Sequence, residues 1–386
     1  MPDIEVAVHS SIRDIAADDW DRLAGSEYPF LSHAFLAAAE DTGCVSAATG
    51  WQPRHLAIRD GNSLRAAMPL YEKSHSWGEF VFDWAWADAY RRAGLAYYPK
   101  LVSAIPFTPA PSKRLLLGDS EDAEASAILV KAALQLATES GCSSMHVLFP
   151  LEEEIHAFES SGLKIRKDCQ FHWHNRGYRN FDEFLETFSA RKRKKARRDR
   201  RHVAESGIDY RRLRGTDIDD ATWAEVYRLI SITFMRRGSM PYFDLDFFLA
   251  VTTAQPETIL VIGGYRQERL VAAAVFFRGS NALYGRYWGS DEFVNALHFE
   301  TCYYQGIDYC IDEGLALFEP GTQGEHKVSR GFTPQNTWSA HWLAHPEFFA
   351  AIGDYLDEEA RHVDSYMDAV DERTPFKQDA SKQNND

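Results

Sequence analysis

Half-apolar alternation at period two appears twice along the chain. Residues 54–60 and 63–74 flank the turn Asp60-Gly61-Asn62 and predict a β-hairpin. Residues 258–264 and 270–279 predict a second hairpin, continued by a third run at 282–288. Helical spacing precedes each hairpin, at 14–23 and 32–42 before the first and at 221–236 and 245–253 before the second. A short strand opens each series, at 4–9 and 208–213. Each series closes with a long helical pattern (123–140; 295–313) and a short apolar strand (144–149; 316–319). Two copies of one α/β unit explain this shared order economically. The expected division is 1–178 and 179–371. A final helix from 346 to about 370 is followed by a polar tail, 372–386, expected to be disordered.

A strand-like run at 165–176 ends the first half. An apolar stripe of Phe181, Phe184, Leu185 and Phe188 then marks an amphipathic helix start. Continued as one helix, the stripe passes through Lys192, Lys195 or Ala196, and Asp199 before Val203, so the helix leaves the core as it becomes basic.

Charge sharpens that point. The formal net charge of the 386 residues is -15, yet residues 191–201 hold nine Lys/Arg and one acid, Asp199. A general nucleic-acid binder would spread basic charge over a face, so the block reads as a local anion contact, with Arg191, Arg193, Lys194, Arg197 and Arg198 as its candidates. The opposing reading is that the block merely docks on the acidic remainder.

Other classes lose ground. The start MPDIEVAVHS lacks a basic and apolar signal pattern, and no apolar run reaches ~18 residues, so a cytoplasmic protein without membrane insertion is expected. Five scattered cysteines suggest reduced thiols. His172 and His174 have no partner at ligand spacing, so no metal is expected. P-loop, G-x-S-x-G, H-E-x-x-H and dinucleotide signatures are missing.

Candidate chemistry concentrates in GTQGEHKVSRG, 321–331. Transfer of an acyl group to an amine needs a proton acceptor and fixed positive charge. Glu325 or His326 could accept the proton, with Lys327 and Arg330 as anion holders; the competing reading is a solvated, self-paired loop. On the helical pattern 295–313, His298 and Glu300 are further catalytic candidates, although two-residue spacing keeps them from facing each other. Tyr303 on the same pattern and Arg286 in the run 282–288 join the substrate-contact set. In the first half Asp83, Trp84, Trp86 and Asp88 alternate acid and aromatic, which suits a ligand with amines or sugars, or simple packing.

Three stretches carry a family resemblance: WQPRHLAIRDGNSLRAAMPLYEKSHSWGEFVFDWAWADAY (51–90), YYPKLVSAIPFTP (97–109) and HFETCYYQGIDYCIDEGLALFEPGTQGEHKVSRGF (298–332). They resemble the bacterial peptidoglycan biosynthesis/recognition proteins, FemAB-like acyltransferases with two GNAT-like domains in tandem. The basic block with its trailing AESGI is similar to the S-x-R-x-x-x-R-K-A-x-x-x-G-V pattern that opens the second domain there. The resemblance implies a mixed-sheet α/β fold. It also implies an N-acyltransferase that moves an acyl or aminoacyl group to an amine of a peptidoglycan or cell-wall precursor. Lys327 matches the lysine that binds acceptor phosphate and steadies the transition state. In a GNAT unit the sheet splays near 100–109, which makes Lys100 and Thr108 substrate-contact candidates. The donor, an acyl-tRNA, an acyl-CoA or another thioester, would be a cosubstrate, with no permanently bound cofactor, and a tRNA donor would make tRNA a partner. The acetyl-CoA loop Q/R-x-x-G-x-G/A is missing from both halves, which argues against acetyl-CoA. The alternative is a non-catalytic binder of a cell-wall precursor or RNA on the same scaffold.

Overall fold

The computed structural model describes residues 4–118, 122–322 and 324–377. The chain divides into two compact units, Met1–Cys169 with Tyr242–Ala254 and Asn336–Asp364, and Gln170–Pro241 with Gln255–Gln335 and Ser365–Asp386. The segments 242–254 and 336–364, which lie beyond residue 178, thus belong to the first unit.

In that unit Ile4–His9 pairs antiparallel with His55–Asp60, which pairs with Ser63–Met68. Gly61 makes the turn at φ 57, a conformation that glycine adopts without steric cost. The hairpin is interrupted at Arg54 and Pro69, where proline offers no N–H to a ladder. Beyond the interruption Trp51–Pro53 pairs with Tyr71–Lys73, and Tyr71–Lys73 with Lys100–Ser103. Lys100–Ser103 then runs parallel to Ser144–Leu148, a pairing that requires a crossover. The crossover contains helix Ala123–Glu139, capped by Asp122, which accepts from Ala125 N at 3.0 Å. Its Leu129, Val130 and Ala133 bury against Leu56, Leu101 and Met145. Helix Leu245–Ala254, expected to serve the second unit, packs here instead: Phe243 and Phe247 meet Phe35 at 5.8 and 5.3 Å.

The second unit is an antiparallel meander of Asp209–Arg214, Ile259–Arg266, Arg269–Arg278 and Ala282–Ser290. The last strand lies parallel to Leu317–Glu319, so a helical crossover recurs. Helix Asp220–Met235 lies directly on the meander: a Cβ at Gly289 would sit 2.0 Å from the Leu229 carbonyl oxygen.

Helix Trp84–Arg92 and strand Thr333–Leu343 went unread in the sequence, as did the short helix Ile155–Ser160 and the two-residue strand Leu116–Leu117. One expectation is corrected: residues 181–203 form two helices, Phe181–Glu186 and Ala190–Glu205. The break arises because Thr187 Oγ1 donates back to the Phe184 carbonyl at 2.7 Å, while Thr187 and Ser189 pair with residues 375–377. Of the tail expected from 372, residues 378–386 lie outside the described residues; Pro375–Lys377 take part in that pairing.

Candidate functional site

The helical crossover of the second unit is not a uniform α-helix. Leu297–Phe299 and Gln305–Asp312 are joined by a π-turn at Glu300–Tyr304. The π-turn inserts an extra residue per turn and rotates the following face. Uniform spacing would align His298 with Cys302. Instead His298 meets Tyr303, ring centroids 5.2 Å apart, and Gln305 Nε2 donates to Glu300 Oε1 at 2.7 Å. Tyr303 Oη lies 2.9 Å from His326 Nε2. His326 belongs to a tight helical turn, Glu325–Arg330, between Gly324 and Gly331. Both glycines have positive φ, and a Cβ at Gly331 would lie 2.6 Å from the Phe184 ring.

That turn and the basic helix line one cavity of about 450 Å³, with Lys192, Lys195, Phe299, Glu325, His326 and Arg330 among its walls and Val370 and Arg373 completing it. Lys192 and Lys195 continue the apolar stripe of Phe181–Phe188 across the break. That stripe put them on the inward face in the sequence but did not show that a cavity would meet them there. Arg191, Lys194, Arg197 and Arg198 are exposed and do not line the cavity; Arg197 pairs with Asp182 at 2.9 Å, and Arg193 reaches only the Phe188 carbonyl.

The electrostatics favour neutral bases beside fixed cations. Burial, reinforced by Arg330 and Lys327, pulls His326 below its ordinary pKa. His298 falls to about 4, chiefly by burial. Arg330, 3% exposed, has its guanidinium 3.3 Å from the centre of the Phe299 ring and 4.0 Å from Asp199. Lys327 does not line the cavity. Its side chain is buried, donates to the Gly321 carbonyl and titrates at about 7 because burial strips its charge of water. Glu300 pairs with Arg200 at 3.2 Å, and Arg286 with Glu319 at 3.0 Å. These are buried pairings away from the cavity wall. Glu325 is exposed and faces Tyr366 and Arg373.

The first-half candidates separate in the same way. Lys100, fully buried, donates to Glu79 Oε2 and Ser76 Oγ at 2.7 and 2.8 Å, and to Asp83. Tyr97 Oη donates to Asp83 at 2.7 Å and lies 3.2 Å from His146 Nε2, whose Nδ1 meets His341 Nδ1 at 2.8 Å. Trp86 packs against His341 at 4.9 Å. Trp84 is exposed beside Trp77, Asp88 is exposed and paired with Arg91, and Thr108 bonds the Pro106 carbonyl. Asp83 and Lys100 thus meet each other, whereas Trp84 and Asp88 belong to the surface.

Each unit therefore carries antiparallel strands followed by a helical crossover to a parallel strand, the design of a duplicated acyltransferase-type α/β fold. FemX shares the fold, with a TM-score of 0.55 and 12% identity over 90% of this chain and 100% of that one. The C-terminal domain (DUF2156) of a candidate lysylphosphatidylglycerol synthetase from Agrobacterium fabrum gives 0.55 and 10% over 88% and 96%. A conserved protein of unknown function from Bacteroides thetaiotaomicron gives 0.50 and 11% over 88% and 99%. No curated protein matches the sequence. The sequence model of the FemAB-like family, described as peptidoglycan biosynthesis/recognition, matches residues 11–378, and the chain belongs to that family. That membership agrees with the resemblance carried by 51–90, 97–109 and 298–332. Among the described residues no helix is long and apolar enough to cross a membrane, and no three His, Cys, Asp or Glu side chains are grouped to hold a metal.

Proposed function

We propose that the chain joins an acyl or aminoacyl group to an amine of a peptidoglycan or cell-wall precursor in the cytoplasm, using the second unit's cavity. The observation that carries this reading is the convergence of Lys192, Lys195 and Arg330 on one cavity with His326, a histidine held neutral. The cations hold phosphate of the donor or acceptor. Where His326 donates Nε2–H to the Tyr303 oxygen, Nδ1 is left to accept a proton. The amine nitrogen attacks the acyl carbonyl carbon, its proton passes to His326, and the ester or thioester bond breaks. The departing hydroxyl or thiol of the donor then receives that proton. Burial of Arg330 strengthens its pull on the developing oxyanion.

The test is to incubate the protein with aminoacyl-tRNA or acyl-CoA and a soluble peptidoglycan precursor and to follow amide formation by mass spectrometry. Amide that disappears in His326→Gln supports the reading. Precursor or RNA binding without amide from either donor would instead support a binding protein.

A further inference from the structure

The last helix, Pro346–Asp371, and the residues after it supply one wall of the cavity, through Val370 and Arg373. This segment is fastened on two sides within its unit. Tyr366 Oη donates to Glu325 Oε1 at 3.1 Å, and Arg373 Nη1 lies 3.6 Å from Glu325 Oε2. Beyond them Ser189 N donates to the Pro375 carbonyl and Lys377 N to the Thr187 carbonyl, both at 2.9 Å. The Phe376 ring packs on Phe188 at 5.6 Å, with the Arg176 guanidinium 5.7 Å from it. The segment therefore bridges the loop that bears Glu325 and the turn that starts the basic helix.

Glu325 is the one acid among the described lining residues, which also include the cations Lys192, Lys195, Arg330 and Arg373. Its pairing with Arg373 is weak on physical grounds, since the two side chains are 56% and 66% exposed and water screens them. A phosphate offers Arg373 a two-pronged, more highly charged partner. We propose that Arg373 is a phosphate-contacting residue of this cavity and that an entering phosphate displaces Glu325 from it. Residues 366–377 are then part of the substrate site, and Glu325 acts as a counter-ion rather than as the proton acceptor. This rests on the phosphate-holding role assigned to the cavity above.

Calorimetric titration of the full chain with inorganic pyrophosphate tests the proposal. Wild type binds; Arg373→Gln weakens binding about tenfold, the worth of one charge-assisted contact. Glu325→Gln strengthens it about threefold, and that gain vanishes when Arg373→Gln is also present. Unchanged affinity in Arg373→Gln, alongside weakened binding in Lys192→Gln, overturns this inference and leaves the phosphate cavity standing. A gain from Glu325→Gln that persists without Arg373 overturns the counter-ion pairing. Failure of wild type to bind overturns the inference together with the phosphate role, while amide formation in the transfer assay would still uphold the transferase reading. Circular dichroism of each variant separates lost contact from lost folding.

Discussion

Lys100 in the first unit and Lys327 in the second are both fully enclosed, 0% and 1% exposed, but their surroundings differ. Burial opposes the charge of Lys100, yet Glu79 and Asp83 outweigh it and hold the ammonium above its ordinary pKa. Lys327 donates to the Gly321 carbonyl, and the pull of Glu319 does not offset burial, which brings it down to about 7. Lys100 is thus compensated by its carboxylate partners, whereas burial brings both Lys327 and Lys73 of the first unit down to about 7. Lys327 differs from Lys73 in following directly on His326, a residue of the cavity wall, and an uncompensated base beside a cavity is the arrangement chemistry needs.

Several measurements could break this contrast. The largest effect is expected on stability. Lys100→Met strands two buried carboxylates and should cost about 3–5 kcal/mol in denaturant titration. Lys327→Met should cost about 1 kcal/mol, the worth of one hydrogen bond. Equal losses would erase the distinction.

The network's response to pH has a defined sign. Burial pushes Asp83 up, but Lys100 and the bonds from Ser76 and Tyr97 hold it below its ordinary value. Its contribution is therefore present above pH 3.8 and is lost as pH falls through the lower, folded value. Burial raises Glu79 to about 7, so its ionisation opposes folding progressively between pH 4.5 and 7. Compared with Glu79→Gln, wild type should lose stability toward neutrality in thermal melts across this range, a trend opposed by His146 and His341, whose depressed pKa values favour folding as pH rises. In Lys100→Met both carboxylates should shift upward, moving the decline due to Asp83 to higher pH.

Next in size is turnover. His326→Gln should lower kcat/KM about a hundredfold while leaving stability within about 0.5 kcal/mol. Because burial depresses His326, the base form persists below pH 6.5, and the acid limb of kcat/KM should lie below that value and vanish in the variant. A limb above pH 7 would assign the proton acceptor elsewhere. Smaller effects follow for binding: Lys192→Gln or Lys195→Gln should weaken pyrophosphate about three- to fivefold, whereas Arg198→Gln on the same helix should not. Smallest of all, Asp88→Asn removes only exposed pairs with Arg91 and Arg92 and should change neither stability beyond about 0.5 kcal/mol nor turnover.

Much of the fold was legible because its signals are local. Alternation around Gly61 and the capped apolar spacing of 123–139 specify a hairpin and a helix without reference to the rest of the chain. Helix Trp84–Arg92 was hidden because WAWADAYRR alternates like a strand, although the buried pair Trp86 and Tyr90 stands at helical spacing. Strand Thr333–Leu343 opens with polar residues and Pro334, which mask its buried Ser339–His341 stretch. The helix at 245–254 was readable as a helix, but its partner was not, since nothing local says that Phe243 and Phe247 will meet Phe35 edge-on. For the candidate site, the charged loop was visible and its neighbours were not: the π-turn that brings Tyr303 toward His326, and the choice of Lys192 and Lys195 among nine cations, depend on packing.

By itself the sequence determined the order of elements, their repetition, and the two stretches where charge accumulates, because periodicity and turn chemistry act over a few residues. Only the tertiary structure decided which cations share a cavity, that Lys100 is neutralised while Lys327 is not, and that residues 375–377 return to residues 187–189. The physical reason is that periodicity sets which face of an element is buried, whereas the partners of that face lie beyond the reach of local pattern, 17 and 21 positions away for Lys100 and more than a hundred for the cavity and for 375–377.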